Sequence, residues 1–485
     1  MTGIPPWARL GAVTVQIASC IDAAFCDRFT FGCSLFLPAV LTQLLEGFVS
    51  SRAASFLLLL ALSTPLALAG DQAGAIHSPS GANVIQHVII IFQENRSTDN
   101  LFHGLKGADT ANYGKNSKGQ KIKLTVLPLI SNYALDHTHP SFVKMYDGGK
   151  MDGADLIPVS CGSNCPPNPQ FKYVPESDVK PYFQMAEQYA FGDHMFQSNQ
   201  GPSYPAHLYI MSATSAPSAD SDMFVAENPY GVPNANARTG CTAPPQEYVP
   251  LIDPLGREDY VTYPCYEYTT MMDLLDNQQF TWRYYTPSLS YIWTAPNSIE
   301  HLRNGPDWKY VIPNPRQVLK DIAGGSLANV AWVMPPGKSS DHPNGNNGTG
   351  PSWVASIVNA VGKSQYWNST AVFVTWDDWG GFYDHVAPPV RDSYEYSFRV
   401  PLVVVSPYAK PGYVSHATHD FSSILKFVET VFGLPSLGFG DRYSDDLTDC
   451  FNFGQKPLPF HSIPAPLDAN YFINDNSPPA DPDDY

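Results

Sequence analysis

Charge is what this sequence has little of. Only 15% of its 485 residues are charged, and the basic share is the smaller one, 28 against 45 acidic, for a formal charge of -17. So thin a basic complement excludes a chain built to grip a phosphate backbone, which is held mainly by Lys and Arg. Cysteine is scarce as well, at 8. The most apolar stretch, 56–62, is cut by Ser63, Thr64 and Pro65, well short of the ~20 residues of a membrane span. There is no internal repeat. No G-x-S-x-G is present, so there is no nucleophile elbow, and Lys150 between Gly148 and Gly153 does not form a Walker A loop. What is there is apolar and aromatic. At 44% hydrophobic and 13% aromatic the chain is no disordered polymer. Its 45 Pro and 35 Gly imply many ordered loops. The length would allow ~2–4 average domains, but one large α/β core can absorb it.

Residues 1–69 read differently from the rest. Arg52 precedes the apolar run at 56–62, and Ala67-Leu68-Ala69 follows. A basic end, a short apolar stretch and an A-x-A site predict a signal peptide cut after Ala69, with an N-terminal membrane anchor as the alternative. Signals begin near a start codon, so residues 1–48 point to a start site placed too far upstream, with translation beginning near Val49. Residues 1–69 together carry three Arg and three acidic residues, which leaves the whole charge of -17 on the rest. Export fits the cysteines. Cys161 and Cys165 close a small loop, Cys241 and Cys265 frame another, and Cys450 is left over, free or buried. Two disulfides in an oxidising compartment are expected; zinc is the competing reading of the C-x3-C pair.

Three β-branched runs, at 84–92, 371–376 and 400–406, read as buried strands. The first leads into Glu94-Asn95 and the second into Asp377-Asp378. Ligands of open α/β sheets bind beyond the carboxyl ends of strands, so both pairs are expected at one sheet edge. Helices are predicted at 352–363 and 421–432, the second ending at Gly433 before Pro435. Residues 216–320 are rich in Pro, Tyr and Asn and read as a loop-rich insertion capping the sheet. Residues 468–485 read as a mobile tail.

Adjacent carboxylates at a strand end are costly without a cation beside them. Glu94, Asn95, Asp377 and Asp378 together offer the oxygens that a divalent ion prefers, Mg, Ca or Mn first, with Zn an alternative. Ser203 stands between Gly201-Pro202 and Pro205 on a rigid turn. There it is either a helix N-cap or a nucleophile activated by that ion. His137 and His342 are candidates to bind phosphate oxygens or protonate a leaving group.

Taken together, these segments resemble the bacterial phosphoesterase family that includes secreted phospholipases C and the respiratory-burst-inhibiting type of acid phosphatase. The carrying motifs are His87 through Ser97, His137 through Gly153, Asn199 through His207, Thr375 through Pro389 and Arg399 through Pro435, in family order. The resemblance implies a fold like the alkaline phosphatase superfamily, α/β, a three-layer αβα sandwich with a loop-rich cap over a catalytic domain at 70–467. It implies one divalent metal ion held by Glu94, Asn95, Ser203, Asp377 and Asp378, with Ser203 also the nucleophile. It places His137 and His342 at the phosphate, with His301 a weaker candidate for the same pocket. His385 lies in a family motif without such a role.

The match has departures. The usual acidic pair is Asp-Glu followed by His-Gly-Gly, where this chain has Asp377-Asp378-Trp379-Gly380-Gly381. Thr98 stands where Phe is common. The chain runs only briefly past the last shared motif, without the long C-terminal extension of the larger haemolytic enzymes. The function expected is a secreted or periplasmic metal-dependent phosphoesterase working through a phosphoserine. Its substrate would be a small phosphate ester or a phospholipid headgroup, with no nucleic acid and at most transient membrane contact. One alternative is a phosphatidylcholine-preferring phospholipase C, with Tyr284, Tyr285 and Trp293 caging choline by cation–π contact; core packing is the competing use of those rings. A sulfatase would need a C-x-P-x-R signature, which is absent. From another class comes a non-catalytic metal-binding surface protein, which would have no need of Ser203.

Overall fold

The structure, a computed structural model, describes residues 81–162, 165–231 and 239–478. The expected signal segment, 1–69, and the last part of the tail lie outside the described residues. The core is an eight-stranded sheet. In chain order its strands are β1 (His87–Gln93), β2 (Ala190–Gly192), β3 (Trp282–Tyr285), β4 (Val311–Ile312), β5 (Val330–Val333), β6 (Thr370–Trp376), β7 (Leu402–Val405) and β8 (Tyr413–Ser415). Their order in space is β4-β3-β5-β1-β6-β7-β2-β8. β1 is parallel to both β5 and β6, β3 is parallel to β4 and β5, and only β7 runs against its neighbours. The three β-branched runs are β1, β6 and β7. The first two are central, and nearly all their residues are buried because helices cover both faces.

Side-chain alternation shows the two covers. Phe92 on β1 meets Phe421, and Phe373 on β6 meets Phe427. The next residue on β1, Gln93, bonds Tyr182, and Trp376 on β6 meets the same Tyr182. Neighbouring strand positions face opposite sides, so Tyr182 and Phe421 lie on opposite layers. One layer holds α2 (Glu176–Gln188) with α5 (Gln317–Ala323) and α6 (Gly350–Gly362). The other holds α3 (Ser203–Ser212), α4 (Met271–Asn277) and α7 (Phe421–Phe432). The fold is thus α/β in three layers, as expected. The predicted stop of α7 is also as read: Asp420 caps its start, accepting from Ser423 N at 3.1 Å, and Gly433 ends it at φ 66°.

Two stretches differ from the reading. Residues 216–320 hold loops, but they also supply β3 and β4. At four and two residues these strands are too short to show a periodicity. Within the expected tail, Ala469–Asn474 is a helix that buries Phe472 against Trp353 of α6. A smaller core, built on Leu135, Phe142, Phe171, Trp379 and Phe398, backs the loops before and after the site. Cys161–Cys165 and Cys241–Cys265 are bonded, and Cys450 is free and buried. Among the described residues, no helix is long and apolar enough to cross a membrane.

Candidate active site

Register builds the site. Gln93 and Trp376 are paired at the ends of two parallel strands, so the next residues of each emerge side by side. Asp377 N donates to the Gln93 carbonyl at 2.8 Å, and Glu94 N to the Ser340 carbonyl, beyond β5, at 2.9 Å. Asn95 then turns back through the left-handed region, φ 58°, a conformation Asn tolerates better than most residues. Its backbone N donates to Asp377 Oδ1 at 2.8 Å, and its Nδ2 donates to Asp378 Oδ1 and Oδ2 at 3.0 and 3.1 Å. Gly380 closes the turn at φ 64°, where a Cβ would stand 2.2 Å from the Asn95 carbonyl oxygen. Glu94, Asn95, Asp377 and Asp378 are all fully buried.

α3 brings the rest. Ser203 is its first residue, and Ser203 Oγ donates to Asp378 Oδ2 at 3.1 Å. One turn on, His207 Nε2 lies 3.4 Å from Glu94 Oε1. Residues at i and i+4 share a helix face, which is why both reach the same cluster. One ligand atom each from Glu94, His207 and Asp377 lies within 4.8 Å of the others. His137 arrives from the loop before α1 (His139–Tyr146). Its Nδ1 lies 2.9 Å from the Leu135 carbonyl, so Nδ1 carries the donated proton and Nε2 the lone pair. That Nε2 is 3.2 Å from Asn95 Nδ2 and 3.6 Å from Asp378 Oδ2.

The residues fit a divalent cation. Three buried carboxylates converge, and the contacts seen here come from backbone N–H groups, an amide, a hydroxyl and imidazoles. Asn95 Oδ1 is buried with no hydrogen-bond donor, an arrangement that is costly unless a positive charge meets it. The donor set is carboxylate, amide oxygen, hydroxyl and imidazole, which suits Mg, Ca, Mn or Zn.

His342 follows Ser340 at the same sheet edge and is buried; its Nδ1 is 2.6 Å from the Pro343 carbonyl. Behind it, Asp341 sits at φ 71° and accepts from Tyr182 Oη at 2.7 Å, while its carbonyl takes Arg96 Nε at 3.0 Å and Nη2 at 2.8 Å. Burial pushes the Asp341 carboxyl up to about 6. The weaker candidate, His301, is engaged by two acids. Its ring is held by Glu267 at 2.7 Å and Asp273 at 3.0 Å, which carry its pKa up to about 9. His385 belongs to a separate network with Asp99 and Asp109. His207 is the residue that the sequence reading left without a role. Its spacing from Ser203 was the available signal. Tyr284, Tyr285 and Trp293 are fully buried, and Trp293 stacks on His207, so they serve as core rather than as an open cage.

An α/β sheet with acids, an amide, a hydroxyl and imidazoles gathered at its strand ends defines a hydrolase-like architecture. Residues 85–435 match the phosphoesterase family, and the chain belongs to it. It is similar to the non-hemolytic phospholipase C of Pseudomonas aeruginosa, 26% identical over 453 residues, covering 80% of this chain and 60% of that one. It is similar as well to phospholipase C B of Mycobacterium tuberculosis, 26% identical over 446 residues, covering 80% and 81%. The chain thus spans about three fifths of the first relative's length. Among solved structures, a protein of the alkaline phosphatase superfamily from Vibrio parahaemolyticus overlaps 72% of this chain and 71% of its own, at 11% identity and a TM-score of 0.30. That likeness is too slight to rest a function on.

Proposed function

We propose that the protein is a metal-dependent phosphoesterase of the acid phosphatase or phospholipase C type, with Ser203 as nucleophile and a phosphoserine intermediate. The observation that carries this reading is Ser203 Oγ, 3.1 Å from Asp378 at the first turn of α3 and within one cluster with Glu94, Asn95, Asp377 and His207. A divalent cation bound by these residues would supply positive charge to the phosphate and to the serine oxygen. The helix N-terminus adds a partial positive charge beside Ser203. Asp378, which already accepts a hydrogen bond from the hydroxyl, orients Oγ and takes its proton as Oγ attacks phosphorus in line. The P–O bond to the alcohol breaks as the Oγ–P bond forms. Protonated at Nε2, His137 would steady the equatorial oxygens or hand that proton to the leaving alkoxide, with His342 as its counterpart. Water then cleaves the phosphoserine. Positioning and charge neutralisation dominate such transfers.

A phospholipase C reading within this class is favoured by the names of the relatives. Against the choline cage stands the burial of Tyr284, Tyr285 and Trp293. An exported location is supported by the two disulfides. The test is a metal-loaded protein assayed in parallel on a soluble phosphomonoester and on phosphatidylcholine vesicles. Turnover lost on chelation and restored by a divalent ion is expected. Metal verified as bound, with no turnover across a broad phosphoester panel, would favour a non-catalytic metal-binding protein instead.

A further inference from the structure

Away from the strand-end cluster, the described residues hold a second set of metal-binding side chains at the β8 edge of the sheet. β8 ends at Ser415, the short strand His419–Asp420 follows, and the loop at 445–450 folds back onto both. His419 and Cys450 are fully buried. One ligand atom each from His419, Asp449 and Cys450 lies within 4.8 Å of the others. Among the described residues, Cys450 is the cysteine left outside the disulfides.

The hydrogen bonds assign the parts. His419 Nδ1 lies 2.6 Å from Asp445 Oδ1, so Nδ1 carries a proton and Nε2 is the nitrogen that faces inward. Nε2 is 2.9 Å from Ser415 Oγ and 3.8 Å from Asp449 Oδ1. A carboxylate on the far nitrogen is how metal-ligating imidazoles are oriented. Asp449 Oδ2 is taken by the hydroxyls of Ser415 and Tyr413. Its Oδ1 is buried with no hydrogen-bond partner, a cost that a cation would remove.

Two other uses of these residues fail on geometry. Ser415, His419 and Asp445 are aligned like a hydrolytic triad, but Ser415 has no exposed surface and its hydroxyl donates to Asp449. An accessible, reactive thiol is excluded because Cys450 is fully buried.

We propose that His419 Nε2, Asp449 Oδ1 and Cys450 Sγ bind a structural zinc ion, with Ser415 Oγ or a water as fourth ligand. Thiolate, imidazole and carboxylate form a borderline-soft set that suits zinc and not Mg or Ca. Binding replaces the thiol proton and the proton that Nε2 shares with Ser415 Oγ, and both leave to solvent. The Asp445 and Asp449 side chains are 35% and 31% exposed, which gives the ion a way in. The ion would stitch the 445–450 loop to β8 and to the start of α7, and it is independent of the phosphoesterase reading.

The test uses the full chain with Cys20, Cys26 and Cys33 changed to Ser, so that Cys450 is the sole cysteine outside the disulfides. Cobalt is exchanged for the bound metal. A thiolate-to-cobalt absorption in the near ultraviolet is expected, and it should be lost in Cys450→Ser together with about one zinc per chain. Cys450→Ser should melt at a lower temperature yet keep phosphoester turnover within about twofold, since distant sites act independently. Asp377→Asn should abolish turnover and keep the cobalt–thiolate band, which separates this site from the strand-end cluster. Absence of the band in the Cys450-containing protein overturns the proposal, and that reading does not depend on whether Cys450→Ser folds. Zinc content unchanged in Cys450→Ser overturns it as well.

Discussion

Asp378 takes hydrogen bonds from Asn95 Nδ2, Ser203 Oγ and Gly380 N, the last at 2.7 Å. It is the residue that ties the proposed nucleophile, the amide and the strand end together. Replacing Ser203 by Ala removes one hydrogen bond to that carboxylate, worth about 1.5–3 kcal/mol, which a chain of this size survives. It also removes the proposed nucleophile. We expect Ser203→Ala to melt within a few degrees of the parent and to lose turnover by more than about a thousandfold. Near-parental hydrolysis in a folded Ser203→Ala protein would end the nucleophile assignment. His207 makes a different prediction. Its Nε2 faces Glu94 at 3.4 Å, and its ring is fixed by Phe92 and Trp293. His207→Gln keeps much of the volume but not the imidazole, so metal affinity should fall by roughly 10–100-fold. A metal titration of the folded variant checks this, and an unchanged Kd would remove His207 from the ligand set.

At the scale of elements, the turn after β6 decides the geometry. Gly380 lies in the left-handed region, and its missing Cβ leaves room for the Asn95 carbonyl. Gly380→Ala must therefore push the two strand ends apart or strain both turns, at a cost on the order of 2 kcal/mol. We expect it to lower the melting temperature and to cut turnover at least about tenfold, because positioning errors near 1 Å are that costly. A variant with full activity would show the two turns to be uncoupled. The same elements mark what the sequence could and could not tell. β1 and β6 were legible because buried parallel strands need unbroken β-branched runs, and the polar pairs just after them stood out. The register that sets Gln93 beside Trp376 was not legible, since it joins segments 283 positions apart. His207 was passed over for a related reason: Glu94, its partner, is remote in the chain. At His301 the motif gave no hint that Glu267 and Asp273 of α4 engage its ring. β3 and β4 hid in a Pro-rich stretch because such short strands carry too few residues to show alternation.

Across the whole molecule, the charge of -17 is not all at the surface. Burial pushes the carboxyls of Glu247, Glu395 and Glu429 each up to about 7, helped at Glu395 by Asp392 and at Glu429 by Asp441. These groups hold protons in the folded state that the unfolded chain releases near pH ~4.3. Their stabilisation is complete below that value and is lost as pH rises through about 7. Two histidines act in the same direction. Asp273 carries His301, and Asp99 carries His385 against the pull of burial, both up to about 9. Their stabilisation is present below pH ~6.5 and lost through about 9. On the acid side, burial lowers His87 and His103, whose contribution is lost as pH falls below ~6.5. Growing net negative charge adds self-repulsion as pH climbs. The melting temperature should therefore peak at mildly acidic pH and fall by on the order of 5 °C or more by pH ~8.5. Glu429→Gln should flatten part of that slope. The amide can still accept from Leu437 N, which donates to Glu429 Oε1 at 3.1 Å, but it has no proton to lose. A melting temperature that stays level or rises from pH ~6 to ~8.5, or a Glu429→Gln slope equal to the parent's, would show that these buried acids are ionised in the folded protein.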